Sequence, residues 1–114
     1  MRLFLVLALA ITAGSAHGFE PVTSADDFAR TVAGRQLTRT GIRLEVLPSG
    51  RITGTGFGRD VTGQWRWEGG FFCRDMDWGG RSIGFNCQRV LRDGDRVRFI
   101  ADQGSGDFAD FRIR

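Results

Sequence analysis

From Arg35 to the C-terminus, apolar and polar residues alternate in short runs, and most of these runs stop at glycine. Ile42, Leu44 and Val46 lie on one side, with Arg43 and Glu45 between them. Pro48-Ser49-Gly50 signals a turn, and a second strand follows from Ile52 to Phe57. After Gly58-Arg59-Asp60, Val61, Gly63, Trp65 and Trp67 share one face, opposite Thr62, Gln64 and Arg66. Glu68-Gly69-Gly70 turns the chain again. Phe71 and Cys73 then share a register, as do Ile83, Phe85 and Cys87 beyond a polar segment. Arg92-Asp93-Gly94-Asp95 is a hairpin signal, Val97 and Phe99 face away from Arg96 and Arg98, and a last strand carries Phe111 and Ile113. The pattern predicts a mainly β domain: a small antiparallel meander barrel of about seven or eight strands, with a β-sandwich as the alternative.

Upstream, the period is helical. Ser24 can cap a helix start, Asp26 and Asp27 suit its first turn, and Phe28 and Val32 are four apart on one face. Gly34 is the natural stop. A helix of two or three turns is unstable alone, so Phe28 and Val32 are expected to pack on the strands, with the helix at one end of the barrel. The first residues, MRLFLVLALAITAGSAHG, join Arg2 to an apolar run and then to small residues, the pattern of a signal peptide over 1–18. The run is shorter than the roughly 20 residues a membrane span needs. A single domain over 19–114, located in the periplasm or secreted, is expected, with no membrane span once the leader is removed.

That compartment gives meaning to the only two cysteines, Cys73 and Cys87. A disulfide between them is expected. It would close a ring of about 15 residues, worth roughly 3 kcal/mol by chain entropy. Their shared parity with apolar neighbours predicts that they face each other within or just above the core. All 16 basic residues are arginine, charges of both signs alternate along the chain, and the net charge is only +3. No basic block reads as a phosphate-binding stripe, and export argues against a nucleic-acid partner.

Candidate chemistry is sparse. The single histidine, His17, lies in the leader or tail, and lysine is absent, so neither a Ser-His triad nor a Ser-Lys pair can be built. Gly54-Thr55-Gly56-Phe57-Gly58 departs from the dinucleotide fingerprint in spacing and context; its glycines fit a tightly curved sheet or a position beside tryptophan. The acidic loop from Asp102 to Asp107 does not match the EF-hand spacing, so no metal and no cofactor is expected. The polar segment between the cysteines holds the binding candidates: Arg74, Asp75, Asp77, Trp78, Arg81 and Asn86. Asp75 and Asp77 are the least implausible acid/base pair, Trp78 reads as an exposed aromatic contact, and Arg74 or Arg81 can hold those carboxylates or an anionic ligand. Asn86 and Gln88 lie opposite Cys87, either on the surface or as hydrogen-bonding struts.

Several short motifs together resemble a family of small secreted proteins from alphaproteobacteria: Gly63, Trp65 and Trp67 in G-x-W-x-W; Phe72 to Asp75 in F-C-R-D; Asn86 to Gln88 in N-C-Q; and Gly94, Asp95, Arg98 and Phe99 in G-D-x-x-R-F. The resemblance covers nearly the whole mature chain and implies no catalytic or binding residues. Some such proteins carry the label dihydrodipicolinate reductase. A reductase of that kind has a dinucleotide fold and a second domain, with histidine and lysine near the substrate; this chain lacks the length, the helix alternation, the lysine and a usable histidine. The expected function is therefore non-catalytic. The first expectation is binding of an unknown small molecule in a lipocalin-like barrel mouth, or of an envelope protein through the polar segment. A structural envelope role comes second and a carboxylate enzyme third. A cavity lined by Trp65, Trp67 and Phe85 would favour the small molecule.

Overall fold

A computed structural model describes residues 18–114; the expected signal peptide over 1–18, apart from Gly18, lies outside the described residues. After a short strand β1 (Glu20–Val22), helix α1 (Ala25–Val32) begins where Ser24 Oγ accepts the Asp27 amide at 3.0 Å, and Gly34 (φ 77°) lets the chain leave it. Eight antiparallel strands follow: β2 (Gln36–Arg39), β3 (Ile42–Val46), β4 (Arg51–Gly56), β5 (Arg59–Glu68), β6 (Phe71–Trp78), β7 (Arg81–Asp93), β8 (Arg96–Ile100) and β9 (Phe108–Ile113). A helical turn, α2 (Ala101–Gly104), precedes β9; its Asp102 and Gln103 are left-handed.

The strands close on themselves. Neighbours run β7-β6-β5-β4-β3-β2-β9-β8, and β8 returns to β7, so β2 to β9 form an eight-stranded barrel. The long β7 makes closure possible. Its first part pairs with β6 through Gln88, while Arg89 to Asp93 pair with β8 and Val90 to Arg92 also hold β1. Closure removes most sheet edges and selects the barrel over the sandwich.

At one end α1 acts as a plug. Phe28 and Val32 are fully buried, and the Phe28 ring lies 5.1–5.2 Å from the rings of Trp65, Trp67 and Phe72. Thr31, also fully buried, donates its hydroxyl to Asp27 O at 2.7 Å, the i−4 bond that a helical threonine can make. Trp65 donates its indole N–H to Leu47 O at 2.8 Å, tying β5 to the turn beyond β3. The opposite end carries the turns between β2 and β3, β4 and β5, and β6 and β7, together with the β8–β9 connection that includes α2.

Parity within β6 differs from the sequence expectation. Phe72, not Cys73, joins the core cluster and meets Phe28 and Phe99. Cys73 and Cys87 pair directly across β6 and β7, Cα to Cα 3.9 Å, and are disulfide-bonded on the outer face. Cys73 is nevertheless only 1 % exposed. Its strand neighbour there is Arg66, whose guanidinium lies 5.3 Å from the Phe85 ring. The apolar spacing of Phe71 and Cys73 suggested an inward register, but an outer face can also bury a cystine under a cation–aromatic cover. The shared face of Ile83, Phe85 and Cys87 is also broken. Met76 pairs with Gly84 and Asp77 with Ser82, leaving Ile83 as a bulged residue, with Gly84 at φ 88°.

Candidate functional site

The segment between the cysteines is a hairpin rather than a polar insert. β6 runs to Trp78, Gly79-Gly80 turns, and β7 starts at Arg81. Strand alternation therefore divides the six candidates between two faces. Arg74 and Trp78 belong with Phe72 and Met76 on the inner side. Asp75 and Asp77 are exposed on the outer side, where they border a polar groove with Arg51, Thr62 and Gln64. Asp75 and Asp77 share the outer face, as residues two apart on a strand do, while Trp78, next in sequence to Asp77, lies on the other face. Arg81 is exposed at the turn, and none of the ion pairs among the described residues joins Arg74 or Arg81 to a carboxylate.

Trp78 is not the exposed contact expected of it. It is half-buried at the open end of the barrel, donates its indole N–H to Gly56 O at 2.7 Å, and lies under the Arg59 guanidinium at 5.1 Å. A Cβ on Gly56 would stand 3.3 Å from that indole nitrogen, so glycine permits the approach. Asn86 is a strut. Its side-chain amide donates to Asp102 Oδ1 at 2.9 Å and its oxygen accepts the Asp102 amide at 3.0 Å, fixing α2 against β7. Gln88 donates to Asn86 Oδ1 at 3.2 Å.

Between the α1 plug and the open end lies a cavity of about 260 Å³, with Leu37, Leu44, Ile52, Phe72, Phe99 and Phe111 among its walls. Its lining is apolar except for Arg74, Gln88 and Asp107. Leu44, Met76 and Phe111 also border a second, wholly apolar cleft of about 300 Å³ at the open end, alongside Phe57, Trp78 and Ile83. The two spaces adjoin through these shared side chains. Trp65, Trp67 and Phe85, the lining that would have favoured a small molecule, do not line the cavity: the tryptophans pack on α1, and Phe85 is half exposed on the outside. Sequence reading took the true lining residues as ordinary core, because an inward apolar side chain has the same pattern whether the space beyond it is filled or empty.

The rim is apolar as well. Phe57 is 67 % exposed and Ile83 47 %. Phe57 and Gly58 form the two-residue turn between β4 and β5, both with positive φ (50° and 82°), a conformation that costs a phenylalanine about 1–2 kcal/mol. The bulge carries Ile83 to the mouth, and Gly84 was the only local signal of it.

Arg74 is the cationic group bordering this cavity, with Asp107 the one carboxylate in its lining. Its guanidinium donates through Nη1 to Gly84 O at 2.8 Å. Burial lowers its pKa, an effect opposed by the charge of the adjacent Asp75. Among the described residues no group of three or more His, Cys, Asp or Glu side chains is placed to hold a metal ion, and no helix is long and apolar enough to cross a membrane.

No family model, curated protein or solved structure matches the chain. Its small barrel is of a kind consistent, in general, with non-catalytic binding of a small molecule.

Proposed function

We propose that this protein is a non-catalytic carrier that takes a small molecule with an apolar body through the open end of the barrel. The observation that carries this reading is the pair of adjoining apolar spaces, one inside the barrel and one at its mouth, walled by strand residues including Phe72, on which the α1 plug packs through Phe28. Ligand sites are concave, mostly apolar and supplied with few polar groups, commonly at about 300–1,000 Å³, and barrel mouths are a usual place for them. The exposed Phe57 and Ile83 would receive the ligand as it enters. Asp75 and Asp77 border the outer groove instead, and Asp107 is the one carboxylate in the cavity lining. The carrier would act in the periplasm or outside the cell, where a disulfide forms and persists.

Titration with N-phenyl-1-naphthylamine, a neutral apolar fluorophore, tests the reading. One saturable site per chain is expected. Ala109, half-buried in the cavity wall, is the position to fill: Ala109→Phe should weaken binding at least about tenfold, an effect of the size expected when apolar burial is lost. Absence of a saturable site, or binding indifferent to Ala109→Phe in a folded variant, would refute the proposal.

A further inference from the structure

The cavity lining is apolar except for Arg74, Gln88 and Asp107, and Arg74 is its one cation. Register places Arg74 between Phe72 and Met76 on the inner side of β6, opposite Asn86 on β7, and it borders the same cavity as Leu37 and Phe111. Four other arginines, Arg66, Arg96, Arg98 and Arg112, have carboxylate oxygens within 4.0 Å. Arg74 has none among the described residues, and its hydrogen bond to Gly84 O uses only one of its N–H groups. A guanidinium drawn part-way out of water, with no carboxylate in ion-pair contact and only the charge of Asp75 acting on it from the other face, is an incomplete arrangement, because buried charge is normally paired. The remaining N–H groups form a planar fork suited to a carboxylate.

From this placement we propose that the ligand is an anionic amphiphile, an apolar chain ended by a carboxylate, and that Arg74 holds the carboxylate while the chain occupies the apolar cavity. The inference rests on the carrier reading and deepens it. Asp107 and Gln88 border the same cavity. Gln88 is engaged with Asn86, and Asp107 would repel an acid placed beside it. The carboxylate therefore sits on the β6 side, at Arg74, with the chain directed toward Leu44 and Phe111. If Asp107 were the selecting charge instead, a cationic head would be preferred, and the test separates the two.

The experiment is displacement of N-phenyl-1-naphthylamine at neutral pH by decanoate, decanol and decylamine, which share a chain and differ in head group. Decanoate is expected to displace the probe at a concentration about tenfold or more below that of decanol, the size of effect expected from a hydrogen bond between charged groups, with decylamine weakest. In Arg74→Met, decanoate should lose this advantage while decanol is unchanged, and Arg74→Lys should restore part of it. Equal displacement by decanoate and decanol in the unsubstituted protein would overturn the head-group assignment and leave the carrier reading standing. Preference for decylamine would overturn it in favour of Asp107. Failure of the naphthylamine itself to bind would remove the carrier reading, and the assignment with it.

Discussion

Replacing Phe28 by alanine removes the centre of the plug. The side chain is 0 % exposed and contacts three aromatic rings at 5.1–5.2 Å. A ring burying roughly 150 Å² at about 25 cal/mol per Å² contributes about 4 kcal/mol. This agrees with the roughly 3–5 kcal/mol lost when buried phenylalanines are truncated to alanine. Relaxation of Trp65 or Trp67 into the gap would bring the loss toward the lower value. At about 4–8 °C per kcal/mol for a domain of this size, Tm should fall by about 15–30 °C. A domain with only about 5–15 kcal/mol in total would then be close to its limit. Urea denaturation followed by tryptophan fluorescence is the direct assay, because Phe28 meets two of the three tryptophans, Trp67 stacked and Trp65 edge-on, and the native signal should shift as well. A loss below about 1 kcal/mol with an unchanged native spectrum would refute the reasoning, since α1 would then not be the element that closes the barrel.

Two further outcomes follow from the outer face. Replacing both Cys73 and Cys87 by alanine should cost about 3 kcal/mol, from the entropy of a ring of about 15 residues, and lower the urea midpoint by about 2 M. Probe binding should persist, because the disulfide lies outside the barrel; loss of binding in a folded variant would count against that geometry. Asp110 accepts two hydrogen bonds from Arg98 at 2.7 and 2.9 Å. These hold its pKa below the usual carboxylate range, against the opposing effect of partial burial. A carboxylate with a depressed folded pKa stabilises above its unfolded pKa of about 3.9, and that contribution is lost as pH falls through the lower folded value. The Tm difference between the unsubstituted protein and Asp110→Asn should thus be fully developed at neutral pH and shrink below about pH 4; a difference that grows on acidification would contradict the assignment.

Much of the architecture was legible along the chain. Strict alternation and regularly spaced glycines specify strands and turns through local sterics, and Ser24, Phe28, Val32 and Gly34 specify one short helix with a single buried face. Proximity and compartment predicted the cystine. Faces and cavities were a different matter. Phe71, Phe72 and Cys73 are consecutive apolar residues, so either parity fits them locally, and closure of β6 between β5 and β7 decided that Phe72 turns in and Cys73 out. The bulge at Ile83 moved one side chain to the mouth while Phe85 stayed outside. Asp75 and Arg74, adjacent in sequence, were placed on opposite faces. Whether an interior holds space depends on how side chains from all eight strands meet, a sum over distant residues that local pattern does not contain. Local spacing determined which segments became strands and which became helix; only barrel closure decided what Arg74 faces.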